Sequence, residues 1–414
     1  MVSNSPTLFK ELDPEPRLLM GPGPVDVYPR VLRAMSTALQ GQFDPQFTQY
    51  MDQVQVLYRQ VFETNNQQTL LINGTARAGI EACLASIIRP GDTVLAPIFG
   101  RFGHLLKEIA MRCGANAVSI ETQWGSVFTA DELESAIKKF KPAVVAISQG
   151  DTSVTVKQPL KDLGELCKSY NCILYVDATA SVGGNALPID DWGISIVSAG
   201  LQKCLSGPPG SSPISFNDEI AARVLDRKHT EAGIRAPGTI DADGPIIQSN
   251  YFDLAMLMDY WGPDRLNHHT ESASMLYAAR ECARILLEEG LSVCQRRHQQ
   301  TSGALRAGLT AMGLKLFGDQ DHLMDNVTGI YIPASCGNGA AARSEMLNDF
   351  GIEIGTSFGP LHGKIWRIGT MGYVCRKSNV LRCLSSLEMV LKRHGYNTTQ
   401  GAGVDAAFAY YENA

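Results

Sequence analysis

The sequence predicts an α/β fold: a large domain on a mainly parallel sheet, followed by a smaller C-terminal α/β domain. Two observations carry this. From about residue 55 to 225, short apolar runs alternate with amphipathic stretches, the pattern of successive βα units. After Asp253 the texture changes to long helices and then to a second, shorter α/β alternation. With 414 residues, 44% of them apolar and 19% charged, the chain can fill the cores of two or three structural units.

In chain order, the apolar runs predict strands over Gln68–Ile72, Thr93–Ala96, Ala117–Ile120, Ala143–Ser148, Ile173–Asp177 and Ile194–Ala199. Helical periodicity places helices over Ala76–Ile88, Gly103–Arg112, Ala130–Phe140 and Lys161–Tyr170. Two long helices, Ser272–Gly290 and Ser292–Met312, carry apolar residues at i, i+3 and i+4. The second α/β unit has strands over Thr328–Ile332, Glu353–Thr356 and Ile365–Ile368, with helices Ala340–Phe350 and Lys377–His394. Beyond Tyr396 the chain reads as a loop and a short helix. The predicted organisation is an N-terminal extension (1–19), a large domain (20–288), a small domain (289–395) and a tail (396–414).

Composition narrows the function classes. A net charge of −6 gives no electrostatic footprint for nucleic acid or an anionic membrane. The first twenty residues are interrupted by Lys10, Glu11, Asp13, Glu15 and Arg17, so no signal peptide or membrane span is expected there. Ten cysteines without a CxxC pair or zinc-type spacing read mostly as buried thiols in a reducing cytoplasm. The chain does not end in an SKL-type peroxisomal address. Small-molecule partners are expected.

A sheet of this kind places its ligand at the carboxyl ends of its strands, so polar residues just beyond strands carry the information. Asp177 ends the run Ile173-Leu174-Tyr175-Val176. Alone it reads as a turn or helix-capping residue. Lys203 follows the next predicted strand, inside Gly200-Leu201-Gln202-Lys203-Cys204-Leu205-Ser206-Gly207. Small and apolar neighbours argue against a solvated lysine, and desolvation lowers an ammonium pKa toward that of an imine-forming amine. Asp177 and Lys203 end neighbouring βα units and can reach one planar cofactor. Pyridoxal phosphate asks for that pair, an anion at its ring nitrogen and an amine for its aldehyde. Asn73-Gly74-Thr75-Ala76-Arg77 joins a strand to a helix, so the amides of Thr75, Ala76 and Arg77 form a helix N-terminus suited to a phosphate. By itself that motif is also an ordinary helix start.

Together these residues resemble a class V aminotransferase of the pyridoxal-phosphate fold-type I superfamily, in the alanine–glyoxylate aminotransferase group. The resemblance runs from Met20-Gly21-Pro22-Gly23-Pro24 to Trp366-Arg367-Ile368-Gly369. It implies Lys203 as the Schiff-base lysine and proton shuttle and Asp177 as partner of the ring nitrogen. Gln202 joins Thr75, Ala76 and Arg77 as phosphate ligands. Phe102 and Thr179 fall on opposite faces of the cofactor and Thr152 near its phenolic oxygen. Without the resemblance Phe102 reads as a core aromatic. Arg367 matches the family's substrate-carboxylate clamp, with a structural salt bridge as the competing reading. The resemblance also implies a homodimer in which Asn267-His268-His269-Thr270 contributes to the partner's phosphate cup, with Thr270 acting across the interface. The two histidines are adjacent and lack a third ligand at suitable spacing, so no metal is expected.

Within the group, Gln42 (in Gly41-Gln42-Phe43-Asp44-Pro45) and Asn267 resemble the ureidoglycine–glyoxylate branch, where two amides replace the residues of the alanine–glyoxylate enzymes. Amides can donate to and accept from a ureido group. The expected reaction is transfer from (S)-ureidoglycine to glyoxylate in purine breakdown. Alanine– or serine–glyoxylate transfer is the alternative. A cofactor-binding transcription regulator would need an added basic DNA-binding unit, and a cysteine desulfurase would need a catalytic loop cysteine with companion motifs that Cys336 lacks. Two departures from the family pattern stand out: Gln149-Gly150-Asp151-Thr152-Ser153-Val154-Thr155, and Leu201 before Gln202-Lys203.

Overall fold

The computed structural model describes residues 9–413. Its centre is a seven-stranded sheet in the order Gln68–Gly74, Gly210–Phe216, Ile196–Ser198, Ile173–Asp177, Val144–Ser148, Thr93–Ile98, Asn116–Glu121. Every pairing is parallel except those of Gly210–Phe216, which runs antiparallel to both neighbours. The inner strands are buried on both faces and read as Val/Ile/Leu runs, as a parallel sheet between helices requires.

Gly210–Phe216 has no counterpart among the predicted strands. Its sequence Gly-Ser-Ser-Pro-Ile-Ser-Phe lacks a β-branched run, and Pro213 argues against a central strand. Its serines make the strand possible. The Ser212 hydroxyl donates to the Ala199 carbonyl at 2.6 Å, and Ser215 and Thr69 share a buried hydroxyl pair at 2.9 Å. Two of the strand's three serine hydroxyls are thereby satisfied inside the sheet.

Two cores follow from this arrangement. The first lies on the sheet and includes Phe47, Tyr58, Leu71, Val145, Tyr175, Val197 and Leu276. The second gathers Leu305, Val327, Ile330, Met346, Trp366, Ile368, Leu384 and Leu387 around a sheet in the order Leu316–Phe317, Val327–Tyr331, Ile365–Gly369, Gly355–Thr356. Leu18, Met20 and Val25 join the second core, as does Ala407 of the terminal helix Ala402–Asn413, which packs along Leu291–Ala311. The span predicted as one strand, Glu353–Thr356, is divided. Ile352–Glu353 pairs parallel with Leu18–Leu19, while Gly355–Thr356 pairs with Thr356 opposite Trp366, because two different partners claim the two halves.

Several helices differ from their predicted spans. Leu163–Ser169 is shorter than Lys161–Tyr170, and Arg101–Arg112 begins two residues before Gly103 because a distant carboxylate caps it. Helices Pro29–Met35, Pro45–Val61, Asp218–Leu225 and Leu254–Trp261 complete the large core. All ten cysteines are free thiols and nine are buried. Among the described residues no helix is long and apolar enough to cross a membrane.

Candidate active site

The carboxyl ends of the parallel strands open into a cavity of about 250 Å³. Its lining includes Thr75, Ala76, Arg77, Phe102, Thr152, Asp177, Thr179, Gln202 and Lys203, nine of the residues singled out from sequence, with Ile80, Leu105, Gly150 and Ala180 between them. Gln42, Asn267, Thr270 and Arg367 are not on this lining.

Asp177 is the last residue of its strand and lies directly opposite Ser198 on the next one, so the turn carrying Lys203 leaves the sheet beside it. Asp177 is buried, and its Oδ1 accepts the Thr179 amide at 3.0 Å. Burial raises its pKa, and the Thr179 contact and the positive charge of Lys203 draw it back. The Lys203 amine is open to the cavity but its surroundings are densely packed, and lost hydration, reinforced by the Arg367 charge, lowers its pKa to about 8. It donates to the Pro22 carbonyl. That contact depends on Gly23, which adopts φ +97° and whose missing side chain leaves room for the lysine stem. Sequence analysis did not single out Pro22 or Gly23 as site residues, since only the tertiary fold brings them to Lys203.

The depressed pKa has a measurable consequence in the cofactor-free chain. Between pH 8 and 10.5 the unfolded chain holds a proton on Lys203 and the folded chain does not, so this group adds stability as pH rises through that window. Below pH 8 the cost of the buried ammonium is fully present. Urea unfolding midpoints of Lys203→Met are therefore expected to lack this upward slope between pH 8 and 10.5 when compared with the parent chain.

Helix Ala76–Ile87 begins at Thr75 without a side-chain cap, leaving its first amides free toward the cavity. The Thr179 hydroxyl and the Gln202 carbonyl oxygen are buried there without a protein partner. Behind the cavity, Arg367 is 3% exposed in the strand Ile365–Gly369. It donates from Nε and Nη2 to the Thr356 carbonyl and from Nη1 to the Thr152 carbonyl at 2.8 Å. Those bonds use three of its five N–H groups. Among the described residues it makes no carboxylate ion pair, and burial lowers its pKa to about 10. Gln42 and Asn267, 225 residues apart, meet at the surface, with the Gln42 amide donating to Asn267 Oδ1 at 3.2 Å. Thr270 is exposed on the same segment.

The family model described as aminotransferase class V matches residues 26–356, most of the chain. The chain belongs to the class V aminotransferase family. The (S)-ureidoglycine–glyoxylate transaminase of Bacillus subtilis (strain 168) is 50% identical over 98% of both chains. The alanine–glyoxylate aminotransferase of Mus musculus is 35% identical over 93% of this chain and 90% of its own. The crystal structure of ureidoglycine–glyoxylate aminotransferase from Bacillus subtilis superposes with a TM-score of 0.91 at 49% identity, covering 98% of this chain and all of that one. The protein is thus an aminotransferase of fold type I.

Class V aminotransferases depend on pyridoxal phosphate, and the cavity fits that group. A desolvated amine, a buried carboxylate, an open helix N-terminus and two unpartnered buried oxygens face one space. These are the interactions an aldehyde, a ring nitrogen and a phosphate require.

Proposed function

We propose that this aminotransferase moves the amino group of (S)-ureidoglycine to glyoxylate, giving oxalurate and glycine in purine breakdown through allantoin, with pyridoxal 5'-phosphate held on Lys203. The 50% identity to the Bacillus subtilis transaminase over nearly the full length of both chains carries the choice of donor.

Pyridoxal 5'-phosphate, when bound, supplies the electrophilic carbon and the ring that takes up electrons from the donor's Cα–H bond. Lys203 holds it and shuttles the proton between Cα and its own Nζ, a task suited to an amine with a pKa of about 8. Asp177 provides the anion at the ring nitrogen. Thr75, Ala76, Arg77 and Gln202 would hold its phosphate, and Phe102, Thr179 and Thr152 would contact its ring and hydroxyl within the same cavity. Arg367 offers its remaining N–H groups to the carboxylate of donor and acceptor alike, which orients both half-reactions.

Gln42 and Asn267 act as one amide unit toward the ureido group. Their contact across 225 residues of chain supports this, because a pair already aligned can donate and accept together. In this reading the chain works as a homodimer, with Asn267 and Thr270 reaching the partner's site. Ten free thiols support a reducing compartment, the cytoplasm.

The test is a donor comparison with glyoxylate as acceptor. Ureidoglycine is expected to outperform alanine and serine in kcat/KM by at least about tenfold, the worth of one net hydrogen bond at the upper end of its usual range. The double variant Gln42→His and Asn267→Tyr is expected to reverse that order. An unchanged donor preference would remove the amide pair from the proposal.

A further inference from the structure

The departing segment Gln149–Thr155 carries a buried carboxylate that this chemistry does not use. Asp151 is fully buried. Its Oδ2 accepts the Phe102 amide at 2.9 Å, and its Oδ1 accepts the amide and the hydroxyl of Ser153 at 2.8 and 2.6 Å. All three partners donate, so the site suits the ionised form even though burial raises the pKa. The Ser153 hydroxyl in turn accepts the Arg101 amide at 3.0 Å. Helix Arg101–Arg112 starts at Gly100, which has no side chain to cap it, and a Cβ there would collide with the Asp151 carboxylate. The helix that brings Phe102 to the cavity is therefore capped from another βα unit.

The same loop also anchors Arg367 and Ser357 behind the cavity. The Thr152 carbonyl accepts from Arg367 Nη1, and the Ser153 carbonyl accepts the Ser357 hydroxyl at 2.6 Å. Asp151 is near enough to favour the charged form of Arg367, yet its oxygens are committed to Phe102 and Ser153 and it makes no ion pair with the guanidinium.

We propose that Asp151 is a positioning residue with two tasks: it caps the Phe102 helix, and, with its oxygens committed to that cap, it leaves Arg367 unpaired while its negative charge, one residue from the Thr152 carbonyl that Arg367 holds, tempers the grip on an incoming carboxylate. The second task rests on the reading of Arg367 as the carboxylate-binding residue.

The test uses the holoenzyme, with three readouts: the visible circular dichroism of the bound cofactor, the calorimetric Kd of glycolate, and the thermal midpoint. Glycolate is a carboxylate with no amino or oxo group to transfer. Asp151→Asn is expected to change the dichroic band and to tighten glycolate binding by about threefold or more, because a nearby negative charge is gone. Ser153→Ala, which loosens the cap but keeps the charge, is expected to change the band with glycolate affinity held within about twofold. An Asp151→Asn enzyme with a parental band and unchanged or weaker glycolate binding overturns the proposal, whatever its thermal midpoint. Should Asp151→Asn fail to fold, Asp151→Glu replaces it. That variant keeps the charge and displaces the cap, so a parental band or lost glycolate binding overturns the proposal. Arg367→Lys separates the two readings: if it leaves glycolate affinity unchanged, the clamp assignment fails, and the capping task is still judged by the band.

Discussion

Lys203→Ala is expected to lower transamination by about 10⁴-fold or more, since it removes both the attachment point and the proton carrier. The fold is expected to survive. In the native chain the Lys203 ammonium is desolvated, held by the Pro22 carbonyl and pushed toward neutrality to about pKa 8, so its removal takes away a cost. The cofactor-free variant should melt at or above the parent temperature. Single-turnover mixing with ureidoglycine, followed by the visible absorbance, measures the loss, and a small added amine is expected to restore part of the rate by moving the proton in its place. A variant retaining more than about a tenth of parent activity would remove Lys203 from the chemistry.

Asp177→Asn is the second large effect. The asparagine oxygen can still accept the Thr179 amide, so the turn is expected to keep its shape. The negative charge is what disappears. Breaking one side of a buried charge pair costs about 3–5 kcal/mol, which corresponds to a fall in kcat of about 10²–10⁴-fold. Cofactor content is expected to stay near the parent value because the phosphate site and Lys203 are untouched. A variant that fell in cofactor content in proportion to activity would assign Asp177 to binding alone.

How far these residues were legible in the sequence follows from where their partners lie. Asp177 and Lys203 stand at the ends of apolar runs, and strand ends are local features. The amides of Thr75, Ala76 and Arg77 follow from a strand, a glycine and a helix start within a few residues. The Pro22 carbonyl on Lys203, the Thr152 carbonyl on Arg367 and the Asp151 cap on Phe102 each join segments far apart in the chain. No periodicity reports such contacts. Helix Pro45–Val61 is different. Asp44 caps it by accepting the Gln46 amide at 2.8 Å and proline opens the first turn, a start signal present in the sequence but not used in the prediction. Gly210–Phe216 was hidden for a chemical reason, because serines satisfied by sheet neighbours replace the apolar side chains that mark a strand.

That antiparallel strand also works as a ruler and a staple. It separates Gln68–Gly74, which leads to the phosphate-type helix start, from Ile196–Ser198, which leads to Lys203. Two steps between neighbouring strands amount to roughly 9–10 Å, so the inserted strand sets the breadth of the cavity from one anchoring feature to the other. The chain leaves the sheet at Ser198 and re-enters at Gly210 one strand over, which pins both ends of the short loop bearing Lys203. A loop clamped in this way has little conformational freedom left to lose when a ligand arrives, and the reactive amine stands pre-aimed before any ligand enters.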